Sequence, residues 1–255
     1  MREATFELPA QLRLSGSHPK LELKQVSLWW QLKENGDPDW VVSDLTASID
    51  VAQEPVWLKG RSAAGKSTLL RALAGHWKRW QPYPRSLKFT GSITFASEAI
   101  DACAERGAVG YAPQQHLFVE HLSVEENLRL PFAGPLGKNR SPNGDFSQLA
   151  TGLRLENKLK RPVHSLSGGE RDRVGFMRAY LLAQRLLVLD EPFGSSDEDV
   201  KKEMYRLCFE WLQDGQARLL IFTSHDPDDA VELRARTLQL RCSTMDKERL
   251  VWQLV

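Results

Sequence analysis

The stretch Gly60-Arg61-Ser62-Ala63-Ala64-Gly65-Lys66-Ser67 decides the fold of this chain. It fits the pattern G-x-x-x-x-G-K-[ST], in which glycines let the backbone curl and turn its N–H groups toward phosphate oxygens. A strand pattern, VWLKG, ends at Gly60, and a helical pattern, KSTLLRALAG, starts at Lys66. A phosphate-binding loop needs this context, because the helix N-terminus adds the positive end of its dipole. The sequence therefore predicts a nucleotide site.

Individual residues of this loop have predicted roles. Lys66 is expected to contact the β and γ phosphates, and the hydroxyl of Ser67 is expected to ligate Mg²⁺. The predicted ligands at this loop are a nucleotide and Mg²⁺. The residues expected to contact the nucleotide here are Gly60, Arg61, Ser62, Ala63, Ala64, Gly65, Lys66, Ser67 and Thr68.

Two apolar runs beyond the loop indicate an α/β fold. LLVLD at 186–190 and RLLIFTS at 218–224 are typical of strands buried on both faces of a parallel sheet. A helical pattern at about 200–212 separates them, which gives a βαβ rhythm. Between about 115 and 183 the chain is predicted to be mostly helical. Capping boxes are predicted at 123–126 and 167–170, and further strands at 21–28, 91–95 and 109–113.

An acidic pair follows the first of these buried runs. Asp190 is delivered to the C-terminal edge of a parallel sheet, where such folds place their ligand contacts. It is predicted to hold Mg²⁺ through water, while Glu191 stands beside the γ-phosphate and polarises an attacking water. Alone, such a pair is more often a helix cap or a solvated turn; together with the phosphate loop, catalysis is favoured.

Composition excludes several classes of protein. The chain has 255 residues with 34 Lys plus Arg against 33 Asp plus Glu, so its formal charge of +1 gives no sign of nucleic-acid binding. No run is long and apolar enough to span a bilayer, and the N-terminus lacks the apolar region of a signal peptide. Its 3 cysteines show no metal-ligand spacing, which is typical of buried thiols in a reducing compartment. A cytosolic globular protein is expected.

The sequence LSGGE at 166–170 resembles the signature motif of the ABC (ATP-binding cassette) ATPases. The family's other motifs are matched in order along the chain. Gln114 resembles the Q-loop glutamine, and the stretch EPFGSSD at 191–197 resembles the catalytic glutamate through to the D-loop aspartate, Asp197. His225 in FTSHD resembles the switch histidine, and Trp30 resembles the aromatic residue that stacks on adenine.

The resemblance implies a fold and its boundaries. It implies a P-loop NTPase with a RecA-like parallel sheet core, an ABC helical subdomain and an antiparallel β subdomain. All of 1–255 would form one ABC ATPase domain. Its core would comprise 20–114 and 184–255, with the helical subdomain at 115–183 and an N-terminal extension at 1–19.

The resemblance also implies roles for residues outside the loop. Lys66, Glu191 and His225 would be catalytic, and Ser67, Gln114 and Asp190 would hold the metal. Ser167 as an N-cap followed by two glycines presents bare N–H groups, which makes a second anion site. ATP would then lie between the loop of one cassette and the signature motif of another, in a head-to-tail dimer. The further nucleotide contacts would be Trp30, Gln114, Ser167, Gly168, Gly169 and Asp197.

Several positions allow a second interpretation of their role or depart from the family pattern. Trp30 could instead be a core residue, although Trp29 is expected to be the core member. Ala63 replaces a common glycine, and Arg61 is also less usual. Asp172 stands where a glutamine is common, a change expected to matter little. The segment that carries Trp77 and Trp80 is longer than in the shortest cassettes, and the remaining histidines, at 18, 76, 116, 121 and 164, are assigned no role.

The partner prediction depends on what the chain lacks. The sequence shows neither the long coiled coil of SMC-type ATPases nor a second cassette, and the short stretch after His225 leads us to expect no added regulatory domain. A free-standing cassette in this family most often serves a separate integral membrane permease, at the inner face of the membrane. Import is favoured over export on the EPFG sequence, and an importer would add an extracytoplasmic substrate-binding protein. The alternatives are a soluble assembly ATPase of the iron–sulfur cluster type and, further off, a P-loop kinase.

Overall fold

The computed structural model describes residues 19–31, 38–76, 86–133, 142–214, 217–246 and 249–254. The predicted extension at 1–19 falls outside these ranges apart from its last residue. The segment that carries Trp77 and Trp80 also falls outside them, as does most of the turn-rich connection that begins at 134.

The phosphate loop belongs to the parallel half of the sheet. Its strands are β3 (Val56–Lys59), β6 (Val109–Ala112), β7 (Leu186–Asp190) and β8 (Leu219–Thr223), and they lie in the order β3-β8-β7-β6. All pair in parallel. Every residue of β7 and β8 is buried, so the prediction of strands covered on both faces is confirmed.

The other half of the sheet is antiparallel. Its centre is β1 (Lys20–Gln31), which pairs with β2 (Asp39–Asp50) on one side and with β4 (Ser86–Phe95) on the other, while the short β5 (Glu98–Ala99) extends β4. The patterns at 21–28 and 91–95 predicted parts of β1 and β4. Sequence analysis did not predict β2, whose alternation is broken by Asp44 in a left-handed conformation, with φ of 52°.

Two late strands join the halves. β9 (Arg236–Asp246) pairs in parallel with β3, and β10 (Arg249–Leu254) pairs antiparallel with β9 and, through Val251 and Ser43, in parallel with β2. Among the described residues the sheet therefore has ten strands, in the order β5-β4-β1-β2-β10-β9-β3-β8-β7-β6.

Helices cover both faces of this sheet. Successive residues of β7 alternate between two buried clusters: Leu187 and Leu189 pack with one set of helices, and Leu186 and Val188 pack with the antiparallel strands and the first helix. The helices are α1 (Lys66–Leu73), α2 (Ile100–Glu105), α3 (Val124–Ala133), α4 (Phe146–Gly152), α5 (Gly168–Leu182), α6 (Glu198–Gln213) and α7 (Pro227–Glu232).

The predicted helical block is present as α3, α4 and α5, together with two short 3-10 turns. Both predicted capping boxes form. Ser123 accepts from the Glu126 amide at 3.2 Å, Ser167 accepts from the Glu170 amide at 3.3 Å, and each glutamate accepts from the amide of its serine. In the described part of the chain, no helix has the length and apolarity needed to cross a membrane.

Candidate active site

The phosphate loop connects β3 to α1 through two left-handed residues. Gly65 has φ of 83°, and a Cβ at this position would lie 2.5 Å from Cγ1 of Val41, so only glycine fits against β2. Ala63 has φ of 60°, a conformation that costs a residue with a Cβ about 1 to 2 kcal/mol. The alanine that departs from the family pattern thus occupies a position that favours glycine.

The loop closes around the ammonium group of Lys66. Its Nζ donates hydrogen bonds to the carbonyl oxygens of Gly60 and Arg61, each at 3.0 Å. These contacts hold the positive charge at the start of α1, where the helix dipole already favours an anion. The loop can therefore attract phosphate through both its amides and this side chain.

Across from the loop, β7 and β8 end in a hydrogen-bonded chain. The hydroxyl of Thr223 donates to Oδ1 of Asp190 at 2.7 Å and accepts from the amide of Glu191 at 3.1 Å. Asp190 and Thr223 are both buried. Because adjacent strands fix these contacts, the carboxylate of Asp190 is held rigidly at the edge of the sheet.

A second carboxylate at this edge, that of Glu191, contacts His225. The His225 amide donates to Oε2 of Glu191 at 3.0 Å, and its Nε2 lies 3.4 Å from Oε1 of the same carboxylate. Burial raises the pKa of Glu191, and the neighbouring His225 partly offsets this effect. A carboxylate that binds protons more readily than usual is better matched to general-base work near neutral pH.

These groups face one cleft of about 490 Å³. Of the predicted site residues, the cleft is lined by Trp30, Ser62, Ala63, Ala64, Gly65, Lys66, Ser67, Thr68, Gln114, Glu191 and His225. The remaining predicted residues, which are not in its lining, are Gly60, Arg61, Asp190, Ser167, Gly168, Gly169 and Asp197. The phosphate loop, the acidic edge and an aromatic side chain thus meet in one place.

Comparison with known proteins identifies the family. The model of the family described as "ABC transporter" matches residues 45–194, which is more than half of the chain. The chain belongs to the ABC transporter family. It is an ATP-binding cassette of that family, and its predicted P-loop NTPase fold is confirmed by solved structures.

Relatives of this cassette include the sulfate/thiosulfate import ATP-binding protein CysA of Xylella fastidiosa, 32% identical over 74% of the chain and 53% of that protein. The chain spans about half the length of the curated relatives it matches. A solved ATP-binding subunit of an ABC transporter is 25% identical, with a TM-score of 0.64 over 86% of the chain and 85% of that structure. A dimeric post-hydrolysis cassette bound to ADP and phosphate shares the fold, with a TM-score of 0.66 at 20% identity over 87% of the chain and 94% of that structure.

The signature motif of this cassette lies outside the cleft. Ser167 caps α5, and Gly169 packs so closely that a Cβ there would lie 2.5 Å from the carbonyl oxygen of Ser195. Asp197 caps α6 by accepting from the Val200 amide at 3.1 Å, and it also accepts from Arg154 at 3.1 Å. The predicted contacts of the signature motif and Asp197 with nucleotide thus require a second cassette, and they stay predictions.

Sequence analysis missed residues that line the cleft from β2, namely Asp39, Trp40 and Val41. It also misjudged one of two neighbouring tryptophans. Trp30 packs against the buried core while lining the cleft, whereas the half-buried Trp29 lies 5.0 Å from Trp40 between ring centroids. The expectation that Trp29 is the core member is wrong, because Trp29 packs against Trp40 while Trp30 is the tryptophan that packs on the core.

The residues predicted to hold Mg²⁺ fit that ion in their chemistry. Ser67, Gln114 and Asp190 offer a hydroxyl, an amide oxygen and a carboxylate, the oxygen donors that Mg²⁺ prefers. Within the described residues no cluster of three or more His, Cys, Asp or Glu could hold a metal. Mg²⁺ in nucleotide sites is commonly held largely by substrate phosphates and water, with one or two protein ligands.

Replacing Trp30 by alanine is expected to weaken ATP binding by about 1 to 3 kcal/mol, about 5- to 150-fold in Kd, because a stacking surface is lost. Binding of inorganic triphosphate, which has no base, should not change. The matched control is Trp29→Ala, whose ring lies outside the cleft lining. Calorimetric titration measures the Kd of each ligand. An equal loss of affinity for ATP and for triphosphate would contradict stacking.

The capping box of α5 predicts a pH effect on stability. The ammonium of Lys158 and the Ser167 amide lower the pKa of Glu170 from 4.5 to about 2. This stabilisation is complete above about pH 4.5 and is lost as the pH falls toward 2. Glu170→Gln keeps a side chain that can accept from Ser167 but does not titrate. The melting temperatures of the two proteins should therefore converge below pH 4.5; a constant difference from pH 7 to pH 3 would contradict this origin.

Proposed function

We propose that this cassette binds and hydrolyses ATP as the energy-supplying subunit of an importer, working as a head-to-tail pair with a separate membrane permease. The observation that carries the proposal is the division of the site. The cleft holds the phosphate loop, Glu191 and His225, while the anion-binding start of α5 lies outside it. The cleft and the start of α5 would each supply one half of a nucleotide sandwich, and a second copy would bring the two halves together.

Binding would fix the substrate at both ends. The loop amides and Lys66 hold the β and γ phosphates, and Trp30 stacks on the base. Ser67, Gln114 and Asp190 would hold Mg²⁺, which offsets the negative charge of the phosphates during transfer. Placement in the cleft brings the γ-phosphate to the side of Glu191, because the loop and the sheet edge face each other.

Hydrolysis would then depend on Glu191. Its carboxylate orients a water molecule and takes its proton as the water oxygen forms a bond to the γ-phosphorus. The bond between that phosphorus and the β,γ-bridging oxygen breaks, which leaves ADP and inorganic phosphate. His225 contacts Glu191 from the neighbouring strand end and so keeps the carboxylate aimed into the cleft.

The second cassette would complete the site. The amides at the start of α5 and the hydroxyl of Ser167 would contact the γ-phosphate bound to the partner copy. ATP would therefore favour the closed pair, and release of ADP and phosphate would reopen it. A cycle of closure and opening supplies the mechanical step that transport requires.

A groove of about 170 Å³ beside residues 114–118 would offer a place for the permease. It lies between α1, β6 and α5, and its lining is basic, with Arg71, His76 and Arg178 around the exposed apolar side chain of Leu117. Burial lowers the pKa of Arg178 to about 10, so the guanidinium stays charged at pH 7. A cytoplasmic helix of a permease that presents an acidic and an apolar residue would fit it.

Import is supported by the relatives, which are named import ATP-binding proteins for sulfate or thiosulfate. The substrate pathway would lie in the permease, and an importer would add an extracytoplasmic binding protein. The cassette would accordingly sit at the inner face of the membrane, attached through the permease.

The test is recovery of tagged Glu191→Gln protein with ATP from detergent-solubilised native membranes, read by mass spectrometry. A multi-span membrane protein in stoichiometric amount is expected, and its recovery should fall at least tenfold for the additional change Leu117→Asp. The control is Val231→Asp, because Val231 is equally apolar and exposed but lies on α7. Recovery of soluble partners alone would contradict the transporter proposal and favour an assembly ATPase.

A further inference from the structure

A buried histidine ties the Q-loop, defined here as residues 114–118, to the signature helix α5. Nε2 of His116 lies 3.1 Å from Oδ1 of Asp172, and its side chain is only 8% exposed. A carboxylate can only accept, so Nε2 carries the proton and donates it. The other ring nitrogen, Nδ1, has no hydrogen-bond partner within the described structure. Asp172 is therefore what orients the ring through hydrogen bonding.

The helix is shaped to receive this ring. A Cβ on Gly175 would lie 2.1 Å from Cε1 of His116, so any larger residue at position 175 would displace the ring. The centroid of the His116 ring also lies 5.4 Å from that of the Phe118 ring. Gly175 and Asp172 thus form a socket for the histidine two residues after Gln114.

Asp172 has a second partner in the D-loop, defined here as residues 194–197. Burial acts to raise the pKa of this carboxyl, but hydrogen bonds from His116 and from the Ser195 hydroxyl outweigh it and lower the pKa. The carbonyl of Ser195 also lies against Gly169 of the signature motif. One carboxylate therefore links the Q-loop, the signature helix and the D-loop.

We propose that His116 and Asp172 are a positioning pair that makes these three segments move as one body. The inference rests on the proposed function, because it concerns how occupation of the cleft is communicated. Gln114 lines the cleft, so a shift of the Q-loop toward bound nucleotide is passed through His116 to Asp172. The signature motif and the D-loop then shift with it toward the second cassette.

Loss of the contact between His116 and Asp172 is expected to lower kcat without changing the Kd for ATP. Neither residue lines the cleft, so the Kd of a single cassette for ATP should stay within about twofold in Asp172→Ala and His116→Ala. The kcat should fall about tenfold in each, because the catalytic halves are then misplaced. The double variant should be no worse than either single one, since both break the same contact.

Conservative and control variants separate positioning from general destabilisation. Asp172→Asn retains an oxygen that accepts from His116, and it should recover kcat to within about threefold of wild type. Arg129→Ala breaks an ion pair of 2.9 Å on α3, away from the cleft, and should leave kcat unchanged. If the losses in kcat of the two single variants multiply in the double variant, the proposed positioning role is wrong. The same holds if Asp172→Asn does not recover kcat.

Hydrogen exchange without nucleotide tests the link independently of turnover. Asp172→Ala should speed up amide exchange about tenfold at both 114–118 and 194–197, because one contact holds both segments. Unchanged exchange at either segment would overturn the inference even in an active protein. A wild-type chain that fails to hydrolyse ATP would contradict the proposed function alone. The hydrogen-exchange result would still test whether His116 and Asp172 link the two segments.

Discussion

Glu191→Gln is expected to reduce kcat for ATP hydrolysis by about 10²- to 10⁴-fold while ATP binding is kept, the range typical for loss of a general base. Glutamine has the same size, and its amide oxygen can still accept from the His225 amide, which contacts Glu191 at 3.0 Å in wild type. It cannot take a proton from water. The substitution therefore removes one chemical step and leaves the geometry of the cleft.

The trapped complex gives a second readout of the same variant. With hydrolysis blocked, ATP should hold the proposed pair of cassettes closed, and light scattering should report a dimer with ATP and a monomer with ADP. Glu198→Gln is the matched control, because this exposed carboxylate lies at the start of α6 outside the cleft lining. Equal single-turnover rates in wild type and Glu191→Gln would contradict the assignment of Glu191.

Local sequence predicted the phosphate loop and the buried strands because their signals are contained within a few residues. The loop needs glycines at set spacings between a strand and a helix, and 60–67 shows this directly. LLVLD reads as a strand because it is apolar throughout, and β7 has the predicted bounds. The two capping boxes are likewise complete within four residues, and both form.

Contacts between distant segments could not be predicted in the same way. Trp40 reaches the cleft only because β2 pairs with β1 and places Trp40 opposite Trp29. β2 itself was missed, and with it the wall that excludes a side chain at Gly65. The pairing of strands far apart in sequence sets these positions, and no single stretch of residues records it.

The link between His116 and Asp172 was missed for a related reason. Each residue alone is unremarkable in the sequence, and Asp172 was expected to matter little in place of a common glutamine. The structure places them 3.1 Å apart across 56 positions of chain, over a glycine that leaves space for the ring. The contact depends on His116, Asp172 and Gly175 together. It can be recognised only once the packing of the Q-loop on α5 is known.

Lys66→Ala is expected to weaken ATP binding by about 10- to 150-fold in Kd, because hydrogen bonds to a charged partner contribute about 1.5 to 3 kcal/mol. The loss should be similar for ADP if the β-phosphate is the main contact and larger for ATP if the γ-phosphate is. It should be small for AMP, which lacks both. Calorimetric titration with the three nucleotides measures this order.

A comparison with Trp30→Ala tests whether Lys66 contacts the phosphates rather than the base. Loss of the tryptophan should affect AMP, ADP and ATP alike, because the base is common to all three, whereas loss of the lysine should spare AMP. Removal of Lys66 also frees the carbonyl oxygens of Gly60 and Arg61, so unfolding must be followed to show that the loop still folds. An equal loss for AMP and ATP would mean that the lysine supports the loop rather than the phosphates.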